Sequence, residues 1–181
     1  MVPQHKKILF VLMPTGYQDF EFRVPYNALI AQHHAVTVAG FTNQPALGAF
    51  GDTFTPDVVL GSLNDVDLSN YDALIITGGP GSTEHLWNNE ALQKIVRAFH
   101  EQKKLVATIC YACAVPAQAG ILANKTVTIY PTDEAKALFA EHSVTFSDQG
   151  CVVLEDESII TAQGPTFAKQ FAQEIIKFLQ P

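Results

Sequence analysis

The chain has 181 residues, 48% of them hydrophobic and 16% charged. That is enough apolar surface for one substantial core in a single domain, 1–181, and too little charge for a disordered chain. A formal net charge of −7 repels phosphate backbones and argues against nucleic acid as a partner, and no apolar run approaches the ~20 residues of a membrane span. A strand-like run begins almost at the first residue, leaving no room for a signal peptide. Three cysteines without a paired framework suit a reducing, cytoplasmic setting.

Ile8 to Met13 (ILFVLM) is a short apolar run that predicts a buried strand. Phe20 to Gln32 has helical spacing, with Phe22, Tyr26, Leu29 and Ile30 on one side. Ala35 to Ala39 predicts a second strand. Residues 41–70 are rich in Gly, Pro, Asn and Asp and predict loops with room for one short strand. Ala73 to Thr77 predicts a third buried strand, stopped by Gly78-Gly79-Pro80-Gly81. Asn89 to Gln102 is amphipathic and helical, and Leu105 to Ile109 is a fourth strand that runs directly into Cys110 and an alanine-rich helix, Ala112 to Ala119. Short strands follow near Val127, Val144, Val152 and Ile159, and a final helix, Thr166 to Leu179, carries Phe167, Phe171, Ile175 and Phe178 at helical spacing.

Strands that are apolar throughout and alternate with helices predict an α/β fold, a mostly parallel sheet covered on both faces. Sites on such sheets form beyond the carboxyl ends of the strands. Three segments leave strands at that edge: the one holding Glu21, the glycine loop 78–81 and the turn at Cys110.

Cys110 stands where a buried strand meets a helix, a turn that pushes a side chain out above the sheet. The following helix start offers N–H groups and a positive dipole end, which favour a thiolate at neutral pH. Position alone leaves a merely packed cysteine equally open. Glu21 lies between two phenylalanines, where burial would keep its carboxyl protonated and able to donate to sulfur; the alternative is an ordinary first-turn glutamate facing the helix dipole. Glycines after a strand let backbone approach a ligand, so the N–H groups of Gly79 and Tyr111 can form an oxyanion hole.

Four stretches together resemble the DJ-one/ThiJ/PfpI superfamily: Asp19-Phe20-Glu21-Phe22-Arg23-Val24-Pro25, Ile75-Ile76-Thr77-Gly78-Gly79, Ala107-Thr108-Ile109-Cys110, and Ile160-Thr161-Ala162-Gln163-Gly164-Pro165. The resemblance spans Lys7 to Leu179. It implies a flavodoxin-like three-layer sandwich, a homodimer, Cys110 as nucleophile with Glu21 as its hydrogen-bond partner, and an oxyanion hole from Gly79 and Tyr111. Members of the superfamily are described as peptidases, glyoxalases or protein deglycases, chaperones and oxidative-stress sensors.

The sequence also departs from that pattern. PfpI-like peptidases carry a histidine directly after the nucleophile, where Tyr111 stands, and many relatives carry one before a later proline, where Tyr130 precedes Pro131. Neither route supplies a Cys–His dyad, and His142, the only histidine after Cys110, lies in a charged stretch that reads as surface. Tyr111 and Tyr130 can line a pocket or simply pack. Glu84 resembles an acidic residue that a neighbouring subunit offers to the site in PfpI-like peptidases, and His85 lies beside it. Cys110-Tyr111-Ala112-Cys113 is a C-x-x-C at a helix start; Cys113 is expected to face the core instead of forming a redox pair. No pair of histidines is placed to complete a metal site, and no cofactor is implied. The leading expectation is an enzyme whose Cys110 attacks a small electrophilic carbonyl or its adduct on a protein amine. The alternatives are a stress sensor or chaperone with an oxidisable Cys110, and a peptidase.

Overall fold

The computed structural model describes residues 5–180. Its centre is a seven-stranded sheet built from β1 (Lys7–Leu12), β2 (Ala35–Gly40), β3 (Val58–Val59), β4 (Ala73–Ile76), β5 (Leu105–Ile109), β6 (Cys151–Leu154) and β7 (Ile159–Ala162). The spatial order is β6-β7-β5-β4-β1-β2-β3. Every pairing is parallel except β6 with β7, at one edge. β4, β5 and β7 are buried along their whole length, and β1 everywhere but at Lys7. Burial on both sides explains why these strands read as unbroken apolar runs.

The described residues form seven α-helices: α1 (Asp19–Ala31), α2 (Asp65–Ser69), α3 (Ser82–His85), α4 (Glu90–Glu101), α5 (Ala114–Gln118), α6 (Asp133–Glu141) and α7 (Ala168–Leu179). α1 packs against α7, while α4 packs against α2 and α5, which makes the three layers of the expected flavodoxin-like sandwich. α4 has Asn89 as its cap, whose side chain accepts from the Leu92 N–H, and it buries Leu92, Val96 and Phe99, one stripe at helical spacing.

Several expectations need correction. Segment 41–70 holds three short strands, Ala46–Gly48, Thr53–Phe54 and β3, and also α2. The first two form a hairpin that adds to a strand at Thr15–Tyr17. Polar tethers hold it: Arg23 binds the Asp52 carboxylate through Nε at 2.7 Å and Nη2 at 2.9 Å, and the Asp19 carboxylate accepts from the Phe50 and Asp52 N–H groups. Helix α6 lies in the charged stretch before His142; the Thr132 side chain caps it, and it buries only Ala135, Leu138 and Phe139. On α1, Ile30 is 44% exposed and leaves the apolar face expected of it. The strands near Val127 and Val144 pair with each other outside the main sheet.

The chain runs outward from β1 to β2 and β3, then returns to β4 beside β1. The carboxyl ends of β1 and β4 therefore flank a topological switch point, where open α/β sheets leave a crevice. Backbone bonds close the two loops there onto each other: Gln18 N–H donates to Gly78 C=O at 2.9 Å and Gly81 N–H to Gly16 C=O at 3.0 Å.

Candidate active site

Ile109 ends β5 in extended conformation, with φ −133° and ψ 146°. Cys110 then turns into the left-handed region at φ 61°. A non-glycine residue held there costs about 1–3 kcal/mol and persists only where its surroundings impose it. A tight 3-10 turn, Cys110–Cys113, follows and leads into α5. The elbow inferred from the sequence is thus present, but the helix start is a short turn, and the sulfur's residue is only 4% exposed.

Glu21 is fully buried, 0% exposed, in the first turn of α1. Gln18 caps that turn, its side chain accepting from the Glu21 N–H at 2.9 Å. Asp19, the more usual capping type, is occupied with the hairpin instead. Pro25 has no N–H to offer the Glu21 carbonyl four residues earlier, so the helix is loosened at this residue. The Cys110 thiol and the Gly78 N–H are the polar neighbours of the Glu21 carboxyl. Neither carboxyl oxygen completes a hydrogen bond of ordinary geometry within the chain. Burial without a cation pushes the carboxyl up from 4.5 to about 8, so it is protonated at neutral pH. Of the two phenylalanines beside it, only Phe22 is buried; Phe20 is 62% exposed.

Burial also pushes the Cys110 thiol well above its ordinary value, and a charged Glu21 would push it further. The Tyr111 N–H, which points at the sulfur, acts in the opposite direction but does not win. Burial of the sulfur and the short helix thus act against the thiolate expected from position.

Gly78 and Gly79 are required where they stand. A Cβ on Gly78 would lie 2.4 Å from the Ile109 carbonyl oxygen, 2.7 Å from the Cys110 Cβ and 2.9 Å from Glu21 Oε2. Gly79 has φ +130°, and a Cβ there would lie 2.4 Å from the Gln18 nitrogen. The glycine pair therefore brings the three loops into contact, as their positions at one sheet edge predict. Among the described residues no backbone carbonyl accepts from the Gly79 N–H.

Tyr111 and Tyr130 come together, with ring centroids 5.2 Å apart. Trp87, which sequence reasoning did not single out, completes the group: its Nε1–H donates to the Tyr111 carbonyl at 2.9 Å, and its ring meets Tyr111 edge-on at 5.9 Å. No short-range motif marks Trp87; only the fold places it. His85 Nε2 lies 2.9 Å from Thr15 Oγ1, and Glu84 is exposed on α3. His142 closes α6 beside a cavity lined by Glu134, Glu141 and Gln118. Cys113 is fully buried; its sulfur accepts from Thr108 Oγ1 at 3.3 Å and donates to the Ala162 carbonyl at 3.6 Å, so it faces the core. All three cysteines are free. Among the described residues no group of three or more His, Cys, Asp or Glu side chains is placed to hold a metal ion, and no helix is long and apolar enough to cross a membrane.

A mostly parallel sheet whose carboxyl edge gathers a buried cysteine elbow, a buried glutamate and a glycine pair defines a class of α/β proteins. The sequence profile of the DJ-1/PfpI family matches residues 6–178, and the chain belongs to that family. An uncharacterised protein of Methanocaldococcus jannaschii is 34% identical, over 98% of this chain and 84% of its own length. A glutathione-independent glyoxalase of Caenorhabditis elegans is 27% identical over 97% of this chain and 89% of its own. A deglycase of Pyrococcus horikoshii is 28% identical over 96% and 99%. In structure, a ThiJ/PfpI domain protein from Brachyspira murdochii superposes with a TM-score of 0.87 at 24% identity, covering 97% of each chain.

Proposed function

We propose that the chain is a cysteine-dependent enzyme acting on small electrophilic carbonyls, α-oxoaldehydes or their adducts on protein amines. The observation that carries this reading is the buried, neutral Glu21 carboxyl beside the Cys110 thiol. A carboxylic acid has one oxygen that donates and one that accepts. It can take the thiol proton on one oxygen while giving its own to the carbonyl oxygen of the substrate. The S–C bond forms, the C=O π bond opens and a hemithioacetal results, with no net charge created in a buried site. The N–H groups of Gly79 and Tyr111 polarise the carbonyl oxygen as it gains charge. For an α-oxoaldehyde, Glu21 then moves the former aldehyde proton to the adjacent carbon, while the hydroxyl proton of the attacked carbon passes to the oxygen of that neighbour, so that the attacked carbon regains its C=O bond. The thioester so formed is cleaved by water to a 2-hydroxy acid, which restores the thiol. The names of the relatives, a glyoxalase and a deglycase, agree with carbonyl chemistry of this kind. Free cysteines suit the reducing cytoplasm in which such an enzyme would work.

The sensor reading uses the same Cys110 without a resolving thiol, because the Cys113 sulfur is already engaged. The peptidase reading lacks a histidine next to the nucleophile, where Tyr111 stands.

The decisive experiment is conversion of methylglyoxal to lactate by the reduced protein. Cys110→Ser should abolish turnover, and Glu21→Gln should lower kcat by roughly 10²–10⁴. Absence of turnover, or turnover indifferent to Cys110→Ser, would overturn the reading.

A further inference from the structure

Glu21 stands where its own helix holds it least. Its N–H lies in the first turn of α1, which offers no intrahelical acceptor. Four residues on stands Pro25, which has no N–H for the Glu21 carbonyl. Neither of the two bonds that fix an interior helical residue is made by the helix. Yet the Glu21 side chain is fully buried, with its carboxyl against the Cys110 thiol.

The missing hold comes from Gln18. Its side-chain Oε1 accepts from the Glu21 N–H at 2.9 Å, and its carbonyl accepts from the Phe22 N–H at 3.1 Å. Its own N–H donates to the Gly78 carbonyl at 2.9 Å. Gly78 in turn faces the Glu21 carboxyl with its N–H. Gln18, Gly78 and Glu21 thus close a ring, and the Cys110 thiol meets that ring at the carboxyl. The ring has little slack. A Cβ on Gly79 would lie 2.4 Å from the Gln18 nitrogen, and one on Gly78 would lie 2.7 Å from the Cys110 Cβ and 2.9 Å from Glu21 Oε2. Glutamine is not a favoured capping type. Here its carboxamide supplies the acceptor without adding a negative charge beside a buried acid, which an aspartate would bring. Gln18 is itself buried, so it also stands between Glu21 and solvent.

We propose that Gln18 is a positioning residue: its carboxamide sets the Glu21 carboxyl against the Cys110 thiol and closes that side of the pair to water. The assignment concerns the pair alone and does not rest on the carbonyl reading.

The test is the titration of the Glu21 carboxyl, followed by carbon NMR and identified by the signal that Glu21→Gln loses. The groups that face this carboxyl from other elements are the Gly78 N–H and the Cys110 thiol, with the Cys113 thiol in electrostatic range; among the described residues no cation does so. In the parent the midpoint should lie near 8. Gln18→Ala removes the bond and admits water, so the midpoint should fall toward 4.5. Gln18→Asn, which can cap the same N–H from this position, should stay near the parent. A merely structural cap would lower the melting temperature of Gln18→Ala and leave the midpoint in place, which would overturn the proposal. Gln18→Asn falling as far as Gln18→Ala would overturn it too, and so would a parent midpoint already near 4.5. If Gln18→Ala does not fold, deuterium exchange in the parent decides. The Glu21 amide should then exchange roughly tenfold or more slowly than that of Phe20 in the same turn; equal rates would show that the bond from Gln18 does not hold Glu21 in place.

Discussion

Burying an acid without a cation has a cost that depends on pH, and Glu21 makes the sign explicit. In the unfolded chain its carboxyl releases a proton near 4.5; in the folded protein it holds that proton to about 8. Between those values the folded state binds more protons than the unfolded one, so Glu21 erodes stability as pH rises through the window, at about 1.4 kcal/mol per pH unit. Glu21→Gln has no proton to lose. Its melting temperature should match that of the parent at pH 4 and exceed it increasingly up to pH 8, while catalysis falls. Chemical denaturation of the two proteins across this range checks the prediction; a difference independent of pH would show that Glu21 is ionised or solvated. Stability given up at one side chain in this way is what a site with a functional acid is expected to show.

At the scale of elements, the glycine loop sets how closely β5 and α1 approach. Gly78→Ala must push apart Ile109, Cys110 and Glu21 together, and all three lie on rigid secondary structure. It should cost roughly 1–3 kcal/mol of stability and most of the activity. Gly61→Ala meets nothing within 4 Å and should change stability by no more than about 0.5 kcal/mol, which makes it the control. Equal effects of the two would remove the glycine pair from the account of the site. These elements also show what a sequence makes legible. Cys110, Glu21 and the glycine pair could be grouped because the parallel-sheet rule sends each to the same edge. The hairpin at 46–54 could not be seen, because its strands are two or three residues long and its tethers, Arg23 to Asp52 and Asp19 to two N–H groups, cross about thirty positions of sequence. Gln18 was hidden for a related reason: Asp19, the better capping type, sits next to it and is used elsewhere. Helix α6 was obscured by a buried face of only three residues, although Thr132 before Asp133 and Glu134 was a start signal in plain view. Local position showed the helix start that favours a thiolate but not the depth of the sulfur, which acts against one.

For the whole molecule, Phe20 at 62%, Leu47 at 50% and Phe50 at 76% are the most exposed large apolar residues among those described. They sit on the first turn of α1 and on the hairpin tethered to it, where the Phe50 N–H bonds Asp19. A second copy covering this face would realise the homodimer that the family resemblance implies. Light scattering at micromolar concentration should then show a dimer, and Phe50→Glu should raise its Kd by roughly 30-fold or more. A monomeric parent, or a dimer indifferent to this change, would place any interface elsewhere. The backbone bonds between Gln18 and Gly78 and between Gly81 and Gly16 have their own consequence at this scale. Segments that admit a substrate commonly open on microsecond to millisecond timescales, and such opening governs many turnover rates. Here the two loops nearest the sulfur are stitched main chain to main chain, so the amide hydrogens of Gln18 and Gly81 should exchange with deuterium nearly as slowly as those of β1 and β4. If they do, no loop movement gates this site, and entry to a cysteine that is only 4% exposed depends on the faster rocking of a few side chains at the rim.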